Sequence, residues 1–159
     1  MNFIAAVQAL ADEGVDFVII GGWSAILHGS SSITNALDIC YSRNPDNLKR
    51  VVAALTSFHP RLRDLPQDLP FVWDQATLRN AAILTLSTDL GAIDLLAEVN
   101  GLGAFEAVKA NSILVQAFDR EVWTLDLPAL IRAKRAAGRA KDLQVLPELE
   151  GLLEAGEPE

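Results

Sequence analysis

The chain has 159 residues, half of them hydrophobic and 21% charged, which predicts one domain over residues 1–153 with a substantial core and excludes extensive disorder. The net charge of −8 argues against broad, charge-driven binding to nucleic acid. The single cysteine excludes an internal disulfide, and neither a signal peptide nor a membrane-length apolar run is recognised. A cytoplasmic protein that does not associate with membranes is therefore expected.

Apolar periodicity, caps and turn residues predict helices and strands in a mixed order. The predicted helices cover residues 3–13, a short stretch after Gly21-Gly22, 45–55, 105–109, 126–138 and a last segment from about 142 that is interrupted at Pro147. The predicted strands cover residues 17–20, 37–41, 82–86, 93–96, 113–118 and 122–125. Residues 59–70, with three prolines, predict an extended loop, and the acidic tail 154–159 is expected to fray. This order predicts an α/β (α+β) protein: a small mixed β-sheet packed with helices, including C-terminal helices.

The stretch from Phe17 to Tyr41 contains the first candidate site. Its first strand ends in Gly21-Gly22 at the start of a helix. Such a turn lets a phosphate approach the backbone, where the helix N-terminus offers free N–H groups. Asp38 on the following strand could hold a divalent cation against that phosphate.

Two strands of this chain carry a carboxylate among apolar residues. Strand alternation places Asp38 on the face of Ala36 and Cys40, and Asp94 is flanked in the same way by Ile93 and Leu95. A carboxylate in this setting costs several kcal/mol unless it is paired, bound to a metal or open to a cleft. On adjacent strands the two would lie roughly 5 Å apart, close enough to share one cation. The alternative is that each faces solvent on a half-exposed sheet.

A basic cluster follows near the end of the chain, where five of the 13 lysines and arginines fall within residues 132–141. Lys134 lies on the predicted inward face of helix 126–138, although a lysine there can also extend its amine to water. Arg139, Lys141 and Asp142 follow, either as a binding segment or as a solvated helix junction with Asp142 as N-cap. Arg63, in the predicted loop, is expected to be solvated, with contact to an acceptor nucleic acid as the alternative.

Five segments in this order resemble the nucleotidyltransferase-like superfamily, in particular small bacterial and archaeal members that include toxin and abortive-infection nucleotidyltransferases. The resemblance spans about residues 15–145. The segments are Ile20-Gly21-Gly22, His28-Gly29-Ser30, Thr34-Asn35-Ala36-Leu37-Asp38-Ile39, Gly91-Ala92-Ile93-Asp94-Leu95-Leu96, and Lys134 with Gly138-Arg139-Ala140-Lys141-Asp142.

The resemblance implies an enzyme that transfers NMP from an NTP to an RNA or protein acceptor, with Mg²⁺ or Mn²⁺ as cofactor. It implies a role as the toxin of a toxin–antitoxin pair, with a cognate antitoxin as partner. Asp38 and Asp94 would be catalytic and bind the metal. The residues implied to bind nucleotide are Gly21, Gly22, Ser24, Lys134, Lys141 and Asp142.

One position departs from the family pattern. Ala36 stands where the family has its first metal-binding aspartate, and Asn35 is expected to point to the opposite face. Because two-metal phosphoryl transfer needs carboxylates for both cations, turnover should fall by orders of magnitude. Two explanations stay open: a natural pseudoenzyme that binds nucleotide or a partner, or an engineered Asp→Ala change. A structural domain without nucleotide is the third reading.

Overall fold

The computed structural model of the chain describes residues 2–66 and 68–156. Its helices are α1 (Phe3–Asp12), α2 (Gly21–Leu27), α3 (Pro45–Leu55), α4 (Gln75–Arg79), α5 (Phe105–Ala110), α6 (Leu127–Ala137) and α7 (Ala140–Gly156). Its strands are β1 (Phe17–Ile20), β2 (Ala36–Tyr41), β3 (Arg61–Leu62), β4 (Ile83–Thr88), β5 (Gly91–Leu96), β6 (Glu98–Val99), β7 (Gly103–Ala104), β8 (Ser112–Ala117) and β9 (Arg120–Leu125). Within these ranges no helix is both long and apolar enough to cross a membrane.

The main sheet contains seven strands in the order β3-β4-β5-β2-β1-β9-β8 among the described residues. The pairs β2–β5 and β1–β9 are parallel, and the other neighbours are antiparallel. Helices pack against this sheet, so the predicted α/β fold with a mixed sheet is confirmed. The central position of β2 places Asp38 between β1 and β5.

The two faces of the sheet bury different sets of side chains. On one face, Leu37, Ile39 and Tyr41 pack with residues of α1 and α3. On the other face, Cys40 packs with Val18 and with residues of α6 and α7. This is the alternation that the sequence predicted for β2, and it directs Asp38 toward α6 and α7.

Helix α6 has the ends that the sequence predicted. The Asp126 side chain accepts a hydrogen bond from the Ala129 N–H at 2.8 Å, and Gly138 ends the helix with φ +66°. Leu130 and Ile131 are buried against the sheet. Lys134, one turn further along the same face, is thereby carried to the sheet surface near Asp38.

Several predicted boundaries differ from the structure. The loop predicted over residues 59–70 contains β3, which pairs with β4 through Arg61↔Ser87 and Leu62↔Leu86, and α4 was not predicted. Pro147 lies inside α7 and does not interrupt it. The burial of Leu146 and Leu149 beside it offsets the hydrogen bond and the steric cost that an interior proline brings. Residues 154–156 of the predicted tail belong to α7, and 157–159 lie outside the described residues.

Candidate active site

The parallel pairing of β2 with β5 brings the two predicted carboxylates together. Asp38 is the register partner of Asp94, and paired residues on neighbouring strands point to the same face. Burial, followed by the negative charge of Asp94, raises the pKa of Asp38 to about 7. Two carboxylates thus share one sheet surface, as predicted, and their role as metal ligands remains a prediction.

The glycine turn after β1 packs directly against the side chain of Asp38. A Cβ atom at Gly21, which has φ +64°, would lie 2.5 Å from Oδ2 of Asp38, so only glycine fits this position without displacing the carboxylate. A Cβ at Gly22 would lie 2.7 Å from the Thr34 side chain. A side chain at either glycine would therefore collide with its neighbours, whereas Gly21 and Gly22 themselves line open cavities. Contact of a phosphate with their N–H groups remains a prediction.

The other oxygen of Asp38 is unsatisfied. Oδ1 is buried and has no hydrogen-bond partner among the described residues. Buried polar atoms without a partner are uncommon, and at a candidate site they suggest that a ligand completes them. Within residues 2–66 and 68–156, however, no group of three or more histidine, cysteine, aspartate or glutamate side chains could hold a metal ion. Asp38 and Asp94 are thus two candidate ligands for one divalent cation, a role that remains a prediction, and Ala36 offers no oxygen for a second.

Ser24 does not face this site. Its side chain is fully buried on the side of α2 that faces the sheet, where its hydroxyl lies 2.6 Å from the Thr124 hydroxyl. Thr124 in turn donates to the carbonyl of Ile19 at 3.0 Å, so Ser24 is the donor in the first bond. This network ties α2 to β1 and β9, and it does not bring the Ser24 side chain to the predicted nucleotide.

Arg63 joins the site although the sequence placed it in a solvated loop. Its Nη2 donates to Oδ1 of Asp94 at 2.5 Å and to the carbonyl of Leu86 at 2.9 Å. The position results from the pairing of β3 with β4, which has no signature in hydrophobic periodicity because β3 is two residues long. The proline-rich composition around it was the only local signal, and it pointed to a loop.

Lys134, Arg139 and Asp142 form one ion-pair cluster at the junction of α6 and α7. Lys134 Nζ lies 3.3 Å from Oδ1 of Asp142, and Arg139 Nε lies 2.7 Å from Oδ2. Burial raises the pKa of Asp142, but hydrogen bonding from Arg139 and the charges of Lys134 and Arg139 outweigh it, so the pKa lies below its usual value.

Asp142 is not the N-cap residue that the alternative of a solvated helix junction predicted. Helix α7 begins at Ala140, and Asp142 accepts from the Arg139 N–H at 3.2 Å from within the first turn, as an acidic residue of a capping box does. Its side chain is 1% exposed. Asp142 thus holds the side chains of Lys134 and Arg139 in position through its ion pairs. Direct contact between Asp142 and a nucleotide remains a prediction.

Replacing Asp142 by asparagine is expected to lower the free energy of unfolding by about 1–3 kcal/mol, because buried charge-assisted hydrogen bonds are lost. Urea unfolding monitored by circular dichroism measures the change. Glu150→Gln is the matched control, since the Arg135–Glu150 pair is half exposed on both sides and its loss should cost less than about 0.5 kcal/mol. Equal effects of the two variants would contradict the structural role of Asp142.

These residues surround a cleft with two connected hollows. The polar hollow, of about 590 Å³, lies between β2, β5 and the α6–α7 junction. Its charged lining residues among those described are the carboxylates Asp38 and Asp94 and the cations Arg63, Lys134, Arg139 and Lys141. The apolar hollow, of about 330 Å³, shares Asp38, Lys134 and Arg139 with it. Its apolar wall consists of Ile20, Ile83, Leu96, Val99, Leu125, Leu130, Ala133 and Ala137.

Solved structures with this architecture include nucleotidyltransferases. A candidate nucleotidyltransferase of Thermotoga maritima superposes with a TM-score of 0.57 at 13% identity, over 95% of this chain and 96% of that one. The lincosamide antibiotic adenylyltransferase LnuA, in its lincomycin-bound form, superposes with a TM-score of 0.60 at 13% identity, over 92% of each chain. No protein-family model matches the chain, and no curated protein matches it. The chain has a nucleotidyltransferase-like fold, which confirms the resemblance at the level of architecture.

Proposed function

We propose that the polar hollow binds a nucleoside triphosphate with one divalent cation, Mg²⁺ or Mn²⁺, and that the site transfers NMP to an acceptor hydroxyl at a rate strongly reduced by Ala36. The observation that carries this proposal is the pairing of Asp38 with Asp94 on the sheet surface, opposite the cations of α6 and α7. Carboxylates suit a divalent cation, and the surrounding cations suit a polyphosphate.

The dimensions of the cleft support this occupant. The polar hollow of about 590 Å³ lies within the range of small-molecule sites. The triphosphate would lie along the basic residues Lys134, Arg139 and Lys141. The apolar hollow of about 330 Å³ adjoins it at Asp38 and offers a surface for the base and sugar.

The reaction would be a displacement at the α-phosphorus of the NTP. The acceptor oxygen forms a bond to that phosphorus, the bond to the β-phosphate oxygen breaks, and pyrophosphate leaves. The hydroxyl proton passes to water or to a carboxylate of the pair. A bound cation would supply charge stabilisation at the phosphoryl oxygens. Lys134 and Lys141 would neutralise the leaving pyrophosphate, and Asp142 would hold Lys134 in place.

The acceptor is proposed to be an RNA or protein hydroxyl, with a cognate antitoxin as a further partner in a toxin–antitoxin pair. The lincomycin-bound neighbour LnuA adds a small molecule as the other candidate class. Incubation with NTPs labelled in the α-phosphate, in the presence of total RNA, protein or small-molecule extracts, separates these classes by which fraction acquires label.

Calorimetric titration with ATP and Mg²⁺ tests the binding half of the proposal. Lys134→Gln is expected to weaken binding by about tenfold or more, because a charge-assisted hydrogen bond to phosphate is lost. Lys49→Gln is the control: it removes the same charge from the exposed side of α3, which packs on the other face of the sheet, and should leave binding unchanged. Absence of binding with all four NTPs would contradict the proposal.

A binding module without transfer is the second candidate. Ala36 removes one carboxylate from the site, and Arg63 already engages Asp94 at 2.5 Å. Both features are compatible with a protein that recognises a nucleotide and presents the complex to a partner. The activity of an Ala36→Asp variant distinguishes the two candidates.

A further inference from the structure

Arg63 is placed in the same row of the sheet as the two carboxylates. Its backbone N–H donates to the carbonyl of Thr85 at 2.8 Å. Thr85 is the register partner of Asp94 on β5, and Asp94 is the partner of Asp38 on β2. The Arg63 side chain extends across β4 along this row, where the Leu86 carbonyl and Asp94 hold Nη2. A residue from the edge of the sheet is thereby fixed at its centre.

Hydrogen bonds within the protein occupy only some of the donors of the Arg63 guanidinium. Its Nη2 bonds to the two acceptors just named, while Nε is buried and has no hydrogen-bond partner among the described residues. The side chain is 30% exposed and lines the polar hollow. Guanidinium groups present several donors in a plane and bind phosphate oxygens in pairs. Arg63 therefore retains the capacity to bind an anion in the hollow while it is paired with Asp94.

The space beside Arg63 is open because two small residues form its floor. Ala36 and Ala92 are register partners, and both line the polar hollow. They lie on the face of Asp38 and Asp94, two residues earlier on each strand. A larger or charged side chain at position 36 would occupy this space. Without one, a phosphate can lie beside the guanidinium.

The charges of the hollow also favour an anion before any metal binds. Four cationic side chains and two carboxylates line it within the described part of the chain, and Asp142 pairs with two of these cations, Lys134 and Arg139, which leaves one positive charge in excess. Arg63 forms an ion pair with Asp94, so a cation held by Asp38 and Asp94 would share Asp94 with the guanidinium and be held more weakly. The hollow therefore has less need of divalent metal to hold a polyphosphate than a site with three unpaired carboxylates.

We propose that Arg63 is an anion-binding residue of this cleft, which holds an oxygen of the bound polyphosphate beside Asp94 and takes the place of a second cation there. This inference rests on the proposed function, because it assigns one more contact to the same ligand. It has a consequence that the proposed function alone lacks: ATP binds to the wild-type chain without divalent metal.

The test is titration of the full-length chain with ATP in Mg²⁺ and, separately, in EDTA. For the wild type, the Kd in EDTA is expected to lie within about tenfold of the Kd in Mg²⁺. Arg63→Gln is expected to raise the Kd in EDTA by about tenfold or more and to leave a stronger dependence on Mg²⁺, since a cation then no longer shares Asp94 with a guanidinium. Arg63→Lys should recover part of the loss, because it keeps the charge without the planar donors.

Asp94→Asn is a second variant, and it is expected to change the metal-free Kd for ATP in the opposite direction to Arg63→Gln. Removing the carboxylate frees the guanidinium, so metal-free ATP binding should become tighter than in the wild type. Arg50→Gln is the charge-matched control on the exposed side of α3 and should leave both Kd values unchanged. Circular dichroism verifies that each variant is folded.

Two results would overturn this inference while the proposed function stands. One is wild-type binding of ATP that requires Mg²⁺, and the other is an unchanged metal-free Kd in a folded Arg63→Gln variant together with no gain in Asp94→Asn. Absence of NTP binding in both Mg²⁺ and EDTA would overturn the proposed function and this inference with it.

Discussion

Replacing Ala36 by aspartate is expected to raise nucleotidyl transfer by about a hundredfold or more. Position 36 lies two residues before Asp38 on β2 and pairs with Ala92 on β5, so a carboxylate there would face the polar hollow with Asp38 and Asp94. A third carboxylate would supply the oxygens that a second cation needs in two-metal phosphoryl transfer. A gain of this size corresponds to about 2.7 kcal/mol of transition-state stabilisation.

The measurement uses the four NTPs, each labelled in the α-phosphate, with cell extract as the source of acceptors. Ala36→Asn is the matched control, because it has nearly the same size as aspartate and no charge. It should stay at the level of the wild type. If Ala36→Asp transfers no more label than Ala36→Asn with any of the four NTPs, the chain is a binding module and the enzymatic reading is wrong.

The added carboxylate should also alter the role inferred for Arg63. It would occupy the open floor formed by Ala36 and Ala92, and its charge would compete for the guanidinium. We therefore expect ATP binding by Ala36→Asp to depend on Mg²⁺ more strongly than binding by the wild type. The same titrations in Mg²⁺ and EDTA measure this, without reference to turnover.

Replacing Asp38 by asparagine is expected to stabilise the ligand-free protein at pH 8. The pKa of Asp38 is raised from 3.8 to about 7, first by burial and then by Asp94. The folded state therefore holds this proton more tightly than the unfolded state, and its contribution to the free energy of unfolding decreases as pH rises from about 4 to about 7. At 1.36 kcal/mol for each pH unit between the two pKa values, the decrease is at most about 4 kcal/mol.

Urea unfolding of the wild type and Asp38→Asn between pH 4 and pH 8 tests whether the contribution of Asp38 to the free energy of unfolding decreases with rising pH. The two should differ little near pH 4, and the variant should be increasingly more stable up to about pH 7, above which the difference is constant. Asp74→Asn is the control: this exposed carboxylate caps α4 by accepting from the Thr77 N–H, and that hydrogen bond lowers its pKa. It should show no gain at high pH. A constant difference across the range would contradict a raised pKa for Asp38.

Asp38→Asn should at the same time weaken the binding of Mg²⁺-ATP. The carboxylate that destabilises the empty protein is the one whose buried Oδ1 has no partner among the described residues. Stability and binding are therefore expected to change in opposite directions in this variant. Such opposition is common at functional sites, where a buried charge is kept for its ligand.

The sequence alone determined the parts of this protein that depend on short-range pattern. Alternation along residues 37–41 and 93–96 directed each aspartate away from the apolar residues beside it, because successive strand residues point to opposite sides, and the pairing of β2 with β5 then placed both on one face. Asp126 and Gly138 located the ends of α6, because capping depends on residues close in sequence. The order of these pieces was sufficient for the fold class, and the sheet confirms it.

Only the tertiary structure decided which distant side chains meet. Arg63 reaches Asp94 because a two-residue strand pairs at the sheet edge, and Asp142 lies buried between Lys134 and Arg139 because α7 begins earlier than its sequence suggested. The side chain of Ser24 points away from the cleft because it forms a hydrogen bond with Thr124, which is 100 residues away in the sequence. Such contacts depend on long-range pairing and burial, which local propensity does not encode. For this reason the sequence identified the carboxylates, whereas the structure alone identified the cation that neutralises one of them.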